Sequence, residues 1–304
     1  MPDTALLYIY VETPLHVGVG PAPDGEVDMP IQREETTGYP MVSASSLKGV
    51  LRAAAEAAAP AEEVAAVFGS APEAPEDQTF AGSVLLGDAH PLLFPVRSLV
   101  GVFGWTTCAA VLARWQREAA ARGVDLPLAA IPSVDEGTAL VPLDSGLRTS
   151  KGQVVLEEVT FRAEPKPEVV ALARWLAAEL FPPEAEFAYW QQKLRRDLAV
   201  LPDNAFRFFA THRTEVIQRI RIDRRTGAAA EGALWSEEYL PTETVLWAVL
   251  GSQPPARPGG SVQSASDALS WLQGMAPRVF QLGGDRTLGR GFVRIRWSAG
   301  KGTP

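Results

Sequence analysis

A chain of 304 residues, 46% hydrophobic and 21% charged, is long enough to bury a full core and too apolar to stay disordered. Its net charge of −8 at first argues against a nucleic-acid partner, and a single cysteine, Cys108, excludes an internal disulfide framework and a cysteine-rich zinc site. No basic-then-apolar leader opens the sequence and no apolar run reaches membrane-spanning length, so the expected compartment is the cytoplasm, with no membrane partner.

Ala5–Glu12 alternates apolar and polar residues, the period of a strand. The next segment, with His16, is punctuated by Gly18, Gly20 and Gly25, which permit unusual backbone angles and close approach to a ligand. It runs into Glu26-Val27-Asp28-Met29-Pro30-Ile31-Gln32-Arg33-Glu34. Ser45–Ala59 has a helical pattern, capped by Ser45 or Ser46 and stopped by Pro60. Ala61–Phe68 is a second helix closed by Gly69, Ser70–Phe80 a loop, and Gly82–Asp88 a strand. Trp105–Arg122 reads as a helix that hides Cys108 as a structural thiol. Asp125–Gly152 lacks periodicity and is expected to be an irregular insertion. Val154–Arg162 is a strand; Pro167–Leu180 and Glu184–Ala199 are helices parted by Pro182-Pro183. Val216–Ile222 and Ala233–Tyr239 are strands of a long hairpin, and Thr244–Leu250 another strand. A loop over 251–264, a helix over Ser266–Met275 and a strand over Gly291–Trp297 complete the chain. Strands and helices mix without βαβ repetition, which predicts an α+β fold with antiparallel sheet.

Charge is unevenly spread. Residues 1–100 carry four basic and fourteen acidic side chains, residues 190–230 nine basic and four acidic, and residues 278–301 six basic and one acidic. Two basic segments in an acidic chain point either to a localised anionic partner or to ordinary solvated faces.

The motifs allow several chemistries. Asp28, in a glycine-rich loop, either caps a turn or holds a hard cation such as Mg²⁺ beside a phosphate. His16 is either a packed imidazole or an acid–base group that titrates near neutrality. Ser46 and Lys48 stand at a helix start, as either a capping serine with a solvated lysine, the commoner situation, or a site where unpaired N–H groups and the lysine charge attract anions. Gly283, Gly284, Gly289 and Gly291, with Arg286 and Arg290 between them, form either a tight hairpin or a second phosphate cradle. Glu237 and Glu238 are either functional carboxylates or edge-strand charges that discourage pairing. His90 and His212 lack ligand spacing, so zinc is not expected.

Several segments together resemble the RNA-cleaving backbone subunits of the type III-B CRISPR effector, the Cmr complex, in the RAMP superfamily. They are Leu15-His16-Val17-Gly18, Val27–Glu34, Ser45-Ser46-Leu47-Lys48-Gly49, Asp88-Ala89 with Leu93–Leu99, Leu234–Tyr239, and Gly283–Phe292. The resemblance runs from near residue 6 to residue 297. It implies a ferredoxin-like core similar to an RNA-recognition motif, in one domain spanning 1–304, with insertions near 125–152 and 165–212 and a protruding thumb hairpin over 213–240. It implies cleavage of guide-paired, single-stranded target RNA, with Asp28 matching the family's cleavage aspartate and Mg²⁺ or another divalent cation as cofactor. His16 is a secondary catalytic candidate, and Glu237 and Glu238 are expected near the scissile phosphate. Ser46 and Lys48 are implied to touch the guide backbone, and Arg52, Arg221, Arg224, Arg286 and Arg290 are counted with them as RNA-binding residues. The implied partners are CRISPR RNA, target RNA, further copies of the chain in a filament, and other Cmr-complex subunits. A relative that only coats the guide is the alternative. A small-molecule enzyme is disfavoured, because no strand–GxxxxGK[ST]–helix P-loop is present.

Overall fold

Thr4–Val11 forms the first strand, β1, of the computed structural model, which describes residues 3–22, 25–71, 73–124, 126, 130–223 and 225–298, with the side chains of 229–232 excepted. Nearly every residue of β1 is buried, so layers must cover both of its faces. Tyr8 and Tyr10 meet one of them, edge-on against Trp115 and Phe181. Alternation turns Leu7 and Ile9 the other way.

Two helices follow, α1 (Ala44–Glu56) and α2 (Ala61–Phe68). Then come β2 (Val84–Leu86), β3 (His90–Arg97), β4 (Phe103–Cys108) and α3 (Ala109–Ala120). The middle of the chain holds β5 (Thr138–Val141), β6 (Gln153–Leu156), β7 (Val159–Pro165), α4 (Pro167–Leu180), α5 (Ala188–Arg196), β8 (Leu198–Leu201) and α6 (Asp203–His212). The last part holds β9 (Glu215–Ile222), β10 (Ala229–Tyr239), β11 (Val245–Ser252), α7 (Ala265–Met275), β12 (Val279–Gln281) and β13 (Phe292–Ser298).

Eleven strands build one sheet in the order β12-β13-β1-β11-β3-β4-β8-β5-β7-β6, with β2 also on β11. All its pairings are antiparallel except β4 with β8 and β5 with β7. The α+β, mainly antiparallel expectation therefore holds. β9 and β10 form a separate two-stranded hairpin. Among the described residues, no helix is long and apolar enough to cross a membrane.

Helix starts follow their caps. Ser43, not Ser45 or Ser46, caps α1, and its Oγ accepts from the Ser46 amide. Ser264 and Asp267 form a reciprocal capping box at α7. The expected helix over Trp105–Arg122 begins only at Ala109. Its first four residues are strand β4, fully buried between β3 and β8, where aromatic and β-branched residues fit the pleat. The expected helix over Glu184–Ala199 gives way at Asp197 to β8, whose four residues Leu198–Leu201 are all buried. A short apolar run cannot be told from a helix segment by periodicity alone. The irregular stretch 125–152 contributes β5 to the sheet. Val154–Arg162 is two strands, turned at Glu157 with φ of 51°. Cys108 is buried, as expected, and burial pushes its thiol up to about 12.

Candidate functional site

The β9–β10 hairpin pairs in register from Tyr239 opposite Glu215 to Leu234 opposite Ile220. This uses one edge of β10, and the glycine-rich loop takes the other. Leu15 and Leu240 exchange both backbone bonds, at 3.0 and 2.9 Å. The Met29 amide donates to the Ser236 carbonyl and the Glu238 amide to the Met29 carbonyl, each at 3.0 Å. The loop is thus an irregular third strand on the hairpin, and it brings Asp28 and His16 to β10.

Asp28 is fixed there by one residue. Its Oδ2 accepts from both the amide and the hydroxyl of Ser236 at 2.7 Å, while its own amide donates to Ser236 Oγ at 3.0 Å. The Ser236 amide and then its hydroxyl hold the carboxyl below the ordinary carboxylate range, so it is ionised at neutral pH. The side chain is exposed. Both Ser236 bonds go to Oδ2, which leaves Oδ1 accessible to a ligand.

His16 is 9% exposed. Its Nδ1 lies 2.7 Å from the Glu238 carbonyl. A carbonyl only accepts, so Nδ1 carries the proton and Nε2 keeps its lone pair in the neutral ring. Nε2 faces Gly18, where an added Cβ would lie 2.5 Å away. Ser236 and Glu238 are two residues apart on one strand, about 7 Å by strand rise. Asp28 and His16 hang from those two points.

Trp235, Glu237 and Tyr239 share the opposite face of β10 by alternation. Glu237 accepts from Arg219 Nε at 2.8 Å, from Trp235 Nε1 at 2.7 Å, and from the Tyr239 hydroxyl. Burial works against its charge, but these donors prevail and hold it at about 2. The Tyr239 hydroxyl also meets Asp285 Oδ2 at 2.6 Å and accepts from Arg219 Nη2 at 2.7 Å. Its single proton is shared between two carboxylates, and burial with those charges pushes its ionisation far above the ordinary range. The ring lies 5.6 Å from His16 between centroids, with Arg290 stacked 5.2 Å from its centre.

The segment between β12 and β13 closes against this cluster. Gly284 donates to the His16 carbonyl at 2.8 Å. Gly283, at φ of 78°, approaches that carbonyl so closely that a Cβ would sit 2.1 Å from it. Asp285 adopts a left-handed φ of 56°, which aims its carboxylate at Tyr239. Arg286 is exposed on the same turn.

His16, Asp28, Glu237 and Glu238 therefore converge on β10, and Arg290 reaches them. Glu238 differs from its expectation. It is 5% exposed and its carboxylate accepts from the Ile31 amide, Arg33 and Thr214. A carboxylate so buried and occupied does not reach a substrate. Ser46 and Lys48 lie on α1, which joins the site through Gln32: its Oε1 accepts from the Ser43 amide at 3.0 Å and its Nε2 donates to the Gly18 carbonyl at 3.4 Å. Burial, then the nearby Arg52, lowers the Lys48 pKa. Arg52 is held by Glu56 and the Ser70 carbonyl, which leaves it less free for RNA than expected. Arg221 is exposed on the Arg219 face of β9. Arg224 lies outside the described residues. Ser236, Tyr239, Arg219 and Asp285 were not singled out from sequence. The alternation Trp235-x-Glu237-x-Tyr239 was the available signal, a polar stripe at strand period.

Among the described residues, no three His, Cys, Asp or Glu side chains gather to hold a metal ion. One accessible carboxylate oxygen suits only a water-rich divalent ion that takes its other ligands from water and phosphate.

A mainly antiparallel sheet with a separate hairpin, on whose edge a glycine loop docks, defines the class: the chain belongs to the RAMP superfamily, whose family model matches residues 8–294. It is 33% identical over 292 residues to the CRISPR system Cmr endoribonuclease Cmr4 of Pyrococcus furiosus, covering 95% of this chain and 94% of that one. It is 27% identical over 306 residues to the CRISPR system CMR subunit Cmr4 of Saccharolobus solfataricus, covering 95% of each. The crystal structure of oligomeric Cmr4 from Pyrococcus furiosus matches with a TM-score of 0.73 at 27% identity, covering 97% of this chain and 98% of that one.

Proposed function

We propose that this chain is a CRISPR RNA-binding backbone subunit of a type III-B effector and an endoribonuclease that cuts guide-paired target RNA, with Asp28 as its main catalytic residue. The names of the Cmr4 relatives support the activity and the complex, and the oligomeric Cmr4 structure supports stacking of further copies. The observation that carries the chemistry is the fixed, ionised, accessible Asp28, held by Ser236 two residues along β10 from the Glu238 carbonyl that orients the His16 imidazole.

Attack of a 2′-hydroxyl on its neighbouring phosphate forms a P–O2′ bond and breaks P–O5′, leaving a 2′,3′-cyclic phosphate and a 5′-hydroxyl. His16 Nε2 takes the 2′-hydroxyl proton, since the Glu238 carbonyl holds the ring in the tautomer with that nitrogen unprotonated. The departing 5′-oxygen is protonated from solvent. Asp28 supplies fixed negative charge and, through Oδ1, the means to hold a divalent ion. Such an ion, when bound, would neutralise phosphate charge. Glu237, locked by three donors, orients Tyr239, against which His16 and Arg290 pack. Lys48, Arg286 and Arg290 bind phosphates of the guide.

In the assembled, guide-loaded complex, Asp28→Asn is expected to slow cleavage by about 100-fold or more, with target affinity within about twofold. A chelator should stop the wild-type reaction, and added Mg²⁺ restore it. Undiminished cutting by Asp28→Asn would rule out Asp28 as an essential residue.

A further inference from the structure

We infer that the ion pair between half-buried Arg33 and buried Glu238 is the positioning device of this site, setting the spacing between Asp28 and His16; this rests on the catalytic reading of those two residues. Glu238 touches both of their supports. Its carbonyl orients the His16 ring. Its amide holds the Met29 carbonyl, next to Asp28. Its Oε2 accepts from the Ile31 amide at 3.0 Å, and its Oε1 accepts from Thr214 Oγ1 at 2.6 Å and from Arg33.

Arg33 balances the buried charge and ties it to the scaffold. Its Nη1 donates to the Gly38 carbonyl at 2.9 Å and the Ala210 carbonyl at 3.3 Å, and its Nη2 to the Thr211 carbonyl at 3.2 Å. Ala210 and Thr211 end α6, where unpaired carbonyls favour a cation. One guanidinium thus joins the catalytic loop, the hairpin and a helix packed on the sheet. The loop itself has no regular strand or helix to hold Asp28 in place. A planar fork with five donors makes this junction, whereas a lysine offers one point charge. Neither side chain touches the accessible face of Asp28, so the pair acts through position.

The test compares Arg33→Lys, Glu238→Gln and the double variant Arg33→Gln/Glu238→Gln, each in the guide-loaded complex. The double variant leaves no buried unpaired charge. Single-turnover cleavage is expected to fall by up to about 100-fold in Glu238→Gln, as small misplacements of reacting groups are costly, and by about tenfold in Arg33→Lys. Guide loading and target affinity should stay within about threefold. The double variant should lose no more than Glu238→Gln alone, as expected for coupled residues. Adding Glu238→Gln to Asp28→Asn should cost less than it does in the wild type, because one of the two groups that the pair positions is already lost. Wild-type rates in Arg33→Lys and Glu238→Gln, or an additive loss on top of Asp28→Asn, overturn the inference. So does a loss of rate that tracks loss of target binding. If Glu238→Gln fails to load guide, Arg33→Lys, which keeps the charge, decides alone. If Asp28→Asn itself cleaves at the wild-type rate, the catalytic reading fails instead.

Discussion

Asp28 takes its direction from Ser236, whose donors also hold its carboxyl below the ordinary range. Ser236→Ala keeps the backbone donor and removes the hydroxyl. A hydrogen bond to a charged group contributes about 1.5–3 kcal/mol. Cleavage by Ser236→Ala is therefore expected to fall about tenfold, and the acid limb of its pH–rate profile to move upward, as the Asp28 carboxyl returns toward its ordinary value. A pH series on the guide-loaded complex measures both. Glu243 makes the opposite case. It has a left-handed φ of 71°, one oxygen without a partner among the described residues, and a carboxyl that burial raises from 4.5 to about 7. A raised folded-state value means the stability it permits is full below about 4.5 and is lost as pH rises through about 7. Melting at pH 5 should exceed melting at pH 8 by more in the wild type than in Glu243→Gln. At this scale the sequence was readable in part. Asp28 and His16 stood out through the family resemblance, because their loop is local and glycine-marked. Arg33 and Tyr239 did not, because their roles arise from partners more than two hundred residues away or from a strand face that only pairing defines.

The hairpin is the element on which these groups meet. Its first strand was legible almost to the residue, while its second begins at Ala229, four residues before the expected Ala233, inside what read as the tip. Val216–Ile222 alternates, and the turn chemistry is local: Asp223 Oδ1 caps the amides of Arg225 and Thr226, and Gly227 takes φ of 69°. One face exposes Val216, Ile220, Ile222 and Leu234, each at least half exposed. An apolar ridge without a core beneath it suits a wedge against unstacked bases. Removing residues 224–231, the turn and the first three residues of β10, and closing the strands with a short turn should leave melting nearly unchanged, since the far end of a hairpin tolerates such cuts. The shortened protein should still load guide, but cut slowly or at altered spacing on an end-labelled target. An identical ladder at wild-type rate would show that the tip does not place the cut. β4 and β8 were not legible because their apolar runs are too short to show a period. Burial between neighbouring strands decides them, and no local signal reports which strands will be neighbours.

Across the whole molecule, acidic and basic residues separate along the chain, yet the fold brings basic Arg290 onto the acidic site cluster beside Tyr239. Guide binding is expected to rest on few phosphate contacts. Each of Lys48→Ala, Arg286→Ala and Arg290→Ala should lower the log–log salt slope of guide binding by about 0.7, the value for one contact to a single strand. Titrations at several salt concentrations measure it, and an unchanged slope in all three would remove these residues from the RNA path. The docking of the glycine loop on β10 also sets a clock. Asp28 and Ser236 are 208 residues apart in the chain. At ribosomal speeds of about 5–20 residues per second, Ser236 is made roughly ten to forty seconds after Asp28. Until then the aspartate has no partner to aim it, and the Glu238 carbonyl that orients His16 does not exist. On the catalytic reading, a chain ended before β10 is expected to be chemically silent, and the capacity to cut arrives only once the hairpin has been made.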